Sequence, residues 1–269
     1  MRRIKIFFYW LFKNKNNVSI NEMLYFLSKP KINKLALKYI DNIIDSDYVE
    51  VNFKLFQDKL YWPKEFQIER LNQVVCENFD HKDFHYYQGH NTPIEQGEIL
   101  LDIGTAEGLF PLSVIDKCSK IFLIEPSKIF EQCLKKTFKN YSDKVVIINK
   151  AVGNDTQNIF FDENSLDGII TKESKNTIAV ELDKIDNIIK NEKITYLKAD
   201  IEGFELEMLK GAANTIRQNK PKIAITTYHE ANNPQEIIDL IKSYVPEYKF
   251  FIKGIDERQF KPVLVHFWI

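Results

Sequence analysis

The chain has 269 residues, 44% hydrophobic and 28% charged, with 37 basic residues against 38 acidic ones and a net charge of −1. This balance excludes a disordered or fibrous chain, and it lacks the overall basic excess of a general nucleic-acid binder. Three cysteines without a Cys-x-x-Cys pair exclude a disulfide scaffold and suit a reducing cytoplasm, while only nine glycines and nine prolines exclude a loop-dominated scaffold.

The chain opens with Arg2, Arg3 and Lys5 around an apolar run at residues 6–12. That run is too short to span a bilayer and is followed by lysines and asparagines rather than a small-residue cleavage site. It reads as a helix that docks on the protein, on a second subunit or on a membrane surface. Ser19 and Glu22 form a capping box ahead of Met23, Leu24, Phe26 and Leu27. A second helix is expected over 32–44, with Leu35, Leu37, Ile40, Ile43 and Ile44 as its apolar face. Alternation at 48–53 and a following run at 55–61 suggest a small hairpin, and 66–79 reads as a helix. Residues 1–83 are therefore expected to form a mainly helical N-terminal cap serving oligomerisation or substrate contact.

Residues 84–269 read as a second domain, in which short apolar strands alternate with amphipathic helices. Strands are expected at 99–103, 121–125, 145–148, 194–199 and 223–226, with an inserted hairpin at 158–161 and 177–180. The final pair, 248–252 and 263–268, is separated by too few residues for a crossover helix and should be antiparallel. The fold class is α/β: a Rossmann-like, doubly wound, seven-stranded sheet whose last strand runs antiparallel.

In such a sheet a ligand sits beyond the carboxyl ends of the strands. The first strand ends Asp102-Ile103-Gly104-Thr105-Ala106-Glu107-Gly108, and Glu125 follows 21 residues beyond Gly104. A glycine turn with an acidic strand end at that spacing suits a nucleoside, whose ribose hydroxyls the carboxylate can accept. The loop is Gly-x-x-x-Gly, without the third glycine of a dinucleotide site. Asp102 and Glu107 would also repel a pyrophosphate. They suit an ammonium and a sulfonium, so S-adenosylmethionine is favoured over NAD.

A second cluster, Lys198-Ala199-Asp200-Ile201-Glu202-Gly203-Phe204-Glu205, crosses from strand to helix. Period two puts Lys198 and Asp200 on one side, and His229 ends the neighbouring strand. Histidine with carboxylates at a crevice suits general-base work on a hydroxyl. His229 or Asp200 is the expected base, with Glu202 orienting it. Two carboxylates and a histidine could also hold a divalent metal, which is not expected here.

These motifs occur in one order with Ile124-Glu125-Pro126, Lys150-Ala151-Val152-Gly153, Leu182-Asp183 and Leu209-Lys210-Gly211-Ala212. The series resembles the FkbM-type family of S-adenosylmethionine-dependent methyltransferases over residues 84–269. The resemblance implies O-methylation of a sugar hydroxyl in a glycan or natural product, with S-adenosylhomocysteine as product. Carried over, Asp102, Gly104, Glu107 and Gly108 line the methionine end, Glu125 the ribose, and Ala151 and Val152 the adenine. Asp200 meets the sulfonium or the acceptor, and Glu202 and His229 meet the acceptor hydroxyl. Thr105-Ala106-Glu107 departs from the commoner Ala-Asn-x of the family.

Tyr87, His90 and Lys198 are expected at the substrate mouth. His81 and His85 would share one helical face and suit a zinc pair, or else belong to an aromatic lid. The segment from Asp162 to Ser165 is either an acceptor loop or a solvated tip. The expected partners are a small-molecule or glycan acceptor, with no nucleic acid and no transmembrane segment; a peripheral membrane contact and a homodimer stay open. The competing readings are a membrane-surface or partner-docking protein that uses the sheet as scaffold, and a methyltransferase for a non-sugar natural product.

Overall fold

The structure, a computed structural model, describes residues 2–162, 169–171, 174 and 177–269. Glu163, Asn164 and Ser165 of the expected acceptor loop lie outside the described residues. Among those described, no helix is long and apolar enough to cross a membrane.

The first helix, α1 (Arg2–Phe12), buries Ile6 and Trp10 against the protein, and the Trp10 indole donates to the Val18 carbonyl at 2.7 Å. α2 (Ile20–Ser28) begins at the expected capping box, in which the Glu22 carboxylate accepts from the Ser19 amide at 2.8 Å. The helix expected over 32–44 is corrected: α3 (Ile32–Ala36) stops after five residues, and the chain continues as β1 (Ile40–Asp45). Leu37, Ile43 and Ile44 are exposed, so no apolar helical face exists there to bury. The β-branched pair Ile43-Ile44 suits an extended backbone. Its amides are satisfied by β2 (Val49–Phe53), which pairs antiparallel with β1 and with β3 (Lys59–Trp62). The expected hairpin is present, but it is part of a three-stranded sheet, so the cap holds more strand than its sequence suggests. α4 (Ile68–Phe79) follows and buries Leu71, Val75 and Cys76.

The rest of the chain alternates as expected. β4 (Glu98–Ile103), α5 (Leu109–Ser113), β5 (Cys118–Ile124), α6 (Lys128–Thr137) and β6 (Val145–Ile148) come first. A small sheet is then inserted from β7 (Ala151–Val152), β8 (Gln157–Asp162), β9 (Ile169–Thr171) and β10 (Thr177–Asp183). α7 (Ile185–Ile189), β11 (Tyr196–Ala199), α8 (Glu205–Gly211), α9 (Ala213–Asn219), β12 (Lys222–Thr226), α10 (Pro234–Tyr244), β13 (Lys249–Lys253) and β14 (Leu264–Trp268) complete it.

The main sheet has the order β13-β14-β12-β11-β4-β5-β6. β12, β11, β4, β5 and β6 are mutually parallel, and β14 runs antiparallel to both of its neighbours. This is a Rossmann-like doubly wound sheet with an antiparallel last strand. The chain builds outward from β4 through β5 to β6, then returns to add β11 on the other side. The switch point therefore lies between β4 and β11.

Strand alternation divides the core. Leu100, Ile121 and Leu123 face one apolar cluster, while Leu101, Phe122 and Ile124 face another packed by α8, α9 and α10. The first cluster also contains Ile6, Trp62, Leu71 and Val75, so the cap shares its core with that face of the sheet.

The inserted sheet is held close to α8 at Gly211, the last residue of that helix. A Cβ there would lie 2.0 Å from the Gly153 carbonyl oxygen, a backbone atom that cannot rotate away. Gly211→Ala is expected to lower stability by about 1–3 kcal/mol through overpacking, read as a lower denaturant midpoint at unchanged m-value.

Candidate functional site

Parallel register places Lys198 of β11 directly beside Asp102 of β4. Asp102 is fully buried; it accepts from the Thr105 hydroxyl at 2.7 Å and faces the Lys198 ammonium at 3.1 Å. The same ammonium donates to the Gly104 carbonyl at 2.8 Å. One cation thus ties two strands and the loop between β4 and α5. Gly104 is required there twice over: its φ is +66°, and a Cβ would sit 2.0 Å from the Asp200 carbonyl oxygen.

The loop is completed from β5. Glu125 accepts from the amides of Ala106 and Ser127, both at 2.9 Å, and Glu107 accepts from the Leu109 amide at 3.2 Å. Burial pushes both carboxyls up to about 7, against these amide bonds and against Lys198, which favour the charged form.

The carboxyl ends of β11 and β12 carry the second cluster. Tyr87 donates to Asp200 Oδ2 at 2.9 Å and Thr226 donates to Oδ1 at 3.0 Å. Burial works to raise the Asp200 carboxyl, but the charges of His229, Lys198 and His85 outweigh it and hold the group below its ordinary value. His229 Nδ1 meets Glu205 Oε1 at 2.8 Å, and its Nε2 lies 3.3 Å from Glu202 and 3.5 Å from Asp200. Burial works to lower this imidazole, yet the three carboxylates move it up to about 11. Glu202 stands at φ +54° and Ala106 at +45°, so each loop holds a non-glycine residue in the left-handed region, a strain that concentrates at functional sites.

Between the two clusters lies a cavity of about 350 Å³. Gly104, Glu107 and Glu125 line one end, Ala151, Val152, Phe161 and Phe204 a side, and Lys198, Asp200 and Glu202 the other end. Tyr87 also lines it.

Four expected residues are not among its lining. Asp102 lies beneath the loop as the buried partner of Lys198. Gly108 caps α5 at φ +84°, where a Cβ would come 2.6 Å from Leu134 and 2.9 Å from Phe138; its role is packing. His90 stacks on Phe251 with ring centroids 3.7 Å apart, at the β13 edge. His229 stands behind Asp200 and Glu202 rather than facing the cavity. His81 and His85 share no helical face, because residues 80–92 form turns. His81 packs edge-on to Tyr86, while His85 lies 3.7 Å from both Glu77 and Asp83.

Sequence reasoning missed two contributions. Glu205 holds the His229 ring at Nδ1, opposite the Glu202 contact at Nε2, and its side chain is fully buried. Its place at the start of a helix disguised it as a dipole-complementing acid. Asp200, Glu205 and His229 have metal-ligand spacing, but Glu205 Oε1 already accepts from His229 and the Ile201 amide and lies 3.0 Å from the Thr226 hydroxyl. The cluster is knit by its own hydrogen bonds. The second omission is α4, whose Arg70, Gln73, Glu77 and Asn78 line the cavity. With Val74 among them they share one face of the helix, and its polar members look in sequence like a solvated helix face.

A family model for the methyltransferase FkbM domain matches residues 102–251. No curated protein matches the sequence. Among solved structures, the chain is similar to methyltransferase FkbM from Methylobacillus flagellatus KT, with 20% identity and a TM-score of 0.54 over 91% of this chain and 60% of that one. The chain therefore spans 60% of that relative's length. Weaker likenesses are to Trm5b from Pyrococcus abyssi (13% identity, TM-score 0.46, 84% of this chain and 62% of that one) and to the M. jannaschii tRNA m1G37 methyltransferase (12%, 0.46, 84% and 56%).

The raised groups at the cavity, Glu107, Glu125 and His229 behind it, act on stability in one direction, while the lowered Asp200 titrates below the pH range in which they do. Glu107 and Glu125, raised to about 7, hold more protons folded than unfolded between their ordinary value and 7, so stability falls as pH rises through that window. His229, raised to about 11, contributes stability that is full below 6.5 and fades as pH climbs toward 11. The ligand-free protein is expected to lose stability steadily from pH 5.5 to 8.5, and the double variant Glu107→Gln/Glu125→Gln to flatten the lower part of that slope. Denaturant midpoints measured across the range check it.

Proposed function

The chain belongs to the FkbM family of methyltransferases, and from that premise we propose that it transfers a methyl group from S-adenosylmethionine to a hydroxyl of a sugar or glycan precursor. The observation that carries this reading is a cavity shared by an acidic, glycine-turned end and an end lined by Asp200 and Glu202, with the His229 imidazole behind them. The donor set fits the cofactor. Glu107 faces the end suited to an ammonium, Glu125 accepts ribose hydroxyls on lone pairs its two amides leave free, and Ala151-Val152 flank the adenine. When bound, S-adenosylmethionine supplies an electrophilic methyl on sulfur and leaves as S-adenosylhomocysteine.

The protein's work is to align the acceptor and remove its proton. Asp200 is held ionised by three nearby cations and fixed by Tyr87 and Thr226, which suits it to positioning the acceptor hydroxyl. Glu202 is the more open carboxylate, with 34% of its side chain exposed, and it takes the hydroxyl proton as the new bond forms. His229, cationic and locked by Glu205, stands behind both carboxylates and stabilises their charge. Holding the reactants in line supplies several kcal/mol of the barrier.

A sugar acceptor is supported by the α4 face. Arg70 and Gln73 carry donors where Glu77 and the Asn78 Oδ1 carry acceptors, matching a ring of hydroxyls better than an apolar metabolite. The Glu77 carboxylate is itself steadied by Gln73 at 2.8 Å. In this reading residues 1–83 supply the acceptor wall and residues 84–269 the methyl-transfer domain.

Calorimetric titration with S-adenosylhomocysteine tests the premise. Micromolar affinity, about −8 kcal/mol, is expected, with loss on Glu125→Ala; absence of binding by folded protein overturns the reading. Because the ligand favours ionised Glu107 and Glu125, affinity should fall as pH drops below about 7, with proton release on binding. Glu202→Gln should lower kcat by roughly 10²–10⁴-fold, the usual range for a lost general base, while S-adenosylhomocysteine binding persists. A turnover assay across nucleotide sugars and glycans completes the test.

A further inference from the structure

α1 is anchored on one face and apolar on the other. Its inner side chains Ile6 and Trp10 are buried, Tyr9 stacks on Phe260 with ring centroids 5.1 Å apart, and Arg3 donates to the carbonyls of Leu27, Lys29 and Pro30. The helix is therefore held in place, and Ile4, Phe8, Leu11 and Phe12 point outward at 57%, 52%, 46% and 72% exposure. Those four fall within one stripe at helical spacing, and Phe8 and Phe12 stack on each other. Ile20 and Leu24 of the adjoining α2 are also exposed. An ordered stripe of this kind is more than scattered surface apolarity and marks an interaction surface.

Charge identifies the partner. The first 40 residues hold nine basic side chains and one acidic one, Glu22, a net of +8 in a chain whose total is −1. Glu22 is itself neutralised by Lys253 at 2.6 Å. Arg2, Lys5, Lys13 and Lys15 are exposed around the apolar stripe, and Lys31, Lys34 and Lys38 follow on the segment that Arg3 ties down. The remaining 229 residues carry −9, so the cation excess is confined to this segment.

We propose that α1 lies on an anionic membrane surface, its Ile4–Phe8–Leu11–Phe12 stripe sunk at the headgroup boundary and its lysines and arginines on the lipid phosphates. A basic amphipathic helix with aromatic and aliphatic residues on its apolar face binds such surfaces in the interface plane. A second copy of the chain would bring two strongly cationic faces together. A nucleic acid would neutralise the lysines but leave four aliphatic side chains, Ile4, Leu11, Ile20 and Leu24, without apolar cover.

Co-sedimentation of the full chain with vesicles decides the matter, using phosphatidylcholine alone and phosphatidylcholine mixed with phosphatidylglycerol. The expected result is sedimentation with the anionic vesicles only, weakened by salt. The double variant Phe8→Ser/Phe12→Ser should lose roughly tenfold or more in vesicle affinity. Lys5→Glu/Lys13→Glu, which leaves the apolar stripe intact, should lose a comparable factor. Circular dichroism and S-adenosylhomocysteine affinity unchanged in both variants establish that the fold is intact. The proposal is overturned if anionic vesicles fail to sediment the chain, or if neither variant weakens the binding. It is equally overturned if light scattering finds a dimer that the Phe8/Phe12 variant dissociates, or if a single-stranded RNA homopolymer binds through the lysines while vesicles do not.

Discussion

The buried ammonium of Lys198 is the contact on which the site depends. It lies between Asp102 and the Gly104 carbonyl, so β4, β11 and the glycine loop are fixed by one group at the point where the sheet reverses its winding. A fully buried carboxylate without that cation would carry a desolvation cost that breaking such pairs commonly shows as several kcal/mol. The same charge reaches further. It favours ionisation of Glu107 and Glu125 on one side and of Asp200 on the other. A single lysine thus sets both the geometry of the loop and the electrostatic level of the cavity.

The two ends of the cavity solve opposite problems with the same residue type. At the loop end, burial dominates and raises Glu107 and Glu125 to about 7. At the far end, cations dominate, and Asp200 stays ionised beside a cationic histidine. The difference is which groups stand behind each carboxylate. Backbone amides support Glu107 and Glu125, whereas His229 supports Asp200 and Glu202. Such divergence of carboxyl environments within one pocket is how a fold assigns binding and proton-handling roles to like side chains.

The sheet and much of the site are legible in the sequence, because they rest on local patterns. Apolar strands of four to seven residues, a glycine turn and acidic strand ends repeat on a regular spacing, and each strand of the main sheet stands where that pattern predicts. The register that pairs Lys198 with Asp102 is seen only in the structure, since parallel neighbours alone leave it open. What is not legible depends on contacts between distant segments. The 32–44 helix fails because a partner strand at 49–53 competes for the same backbone, which helical periodicity alone does not reveal. Asp102 and His229 are chemically right for a site yet stand one layer behind the cavity wall, a distinction set by packing depth. Glu205 carries no mark in sequence that separates it from any acid in a first helical turn.

The cap is where that dependence on distant contacts has its largest consequence. Tyr196 of β11 donates to the Tyr87 carbonyl at 2.8 Å, Phe110 packs against both rings, and the Tyr87 hydroxyl donates to Asp200. The segment joining cap to sheet is thereby pinned at the Tyr87 backbone to the sheet's interior and at the Tyr87 hydroxyl to the Asp200 carboxylate. α4 rests in the same apolar cluster, through Leu71 and Val75. The cavity-lining face of α4 therefore cannot shift without disturbing the packing that holds Tyr87, and Tyr87 cannot shift without releasing Asp200. The α4 wall of the cavity and the Asp200 carboxylate are thus positioned by one continuous core, so the outward tips of Arg70, Gln73, Glu77 and Asn78 can change with least disturbance, leaving their apolar neighbours in place.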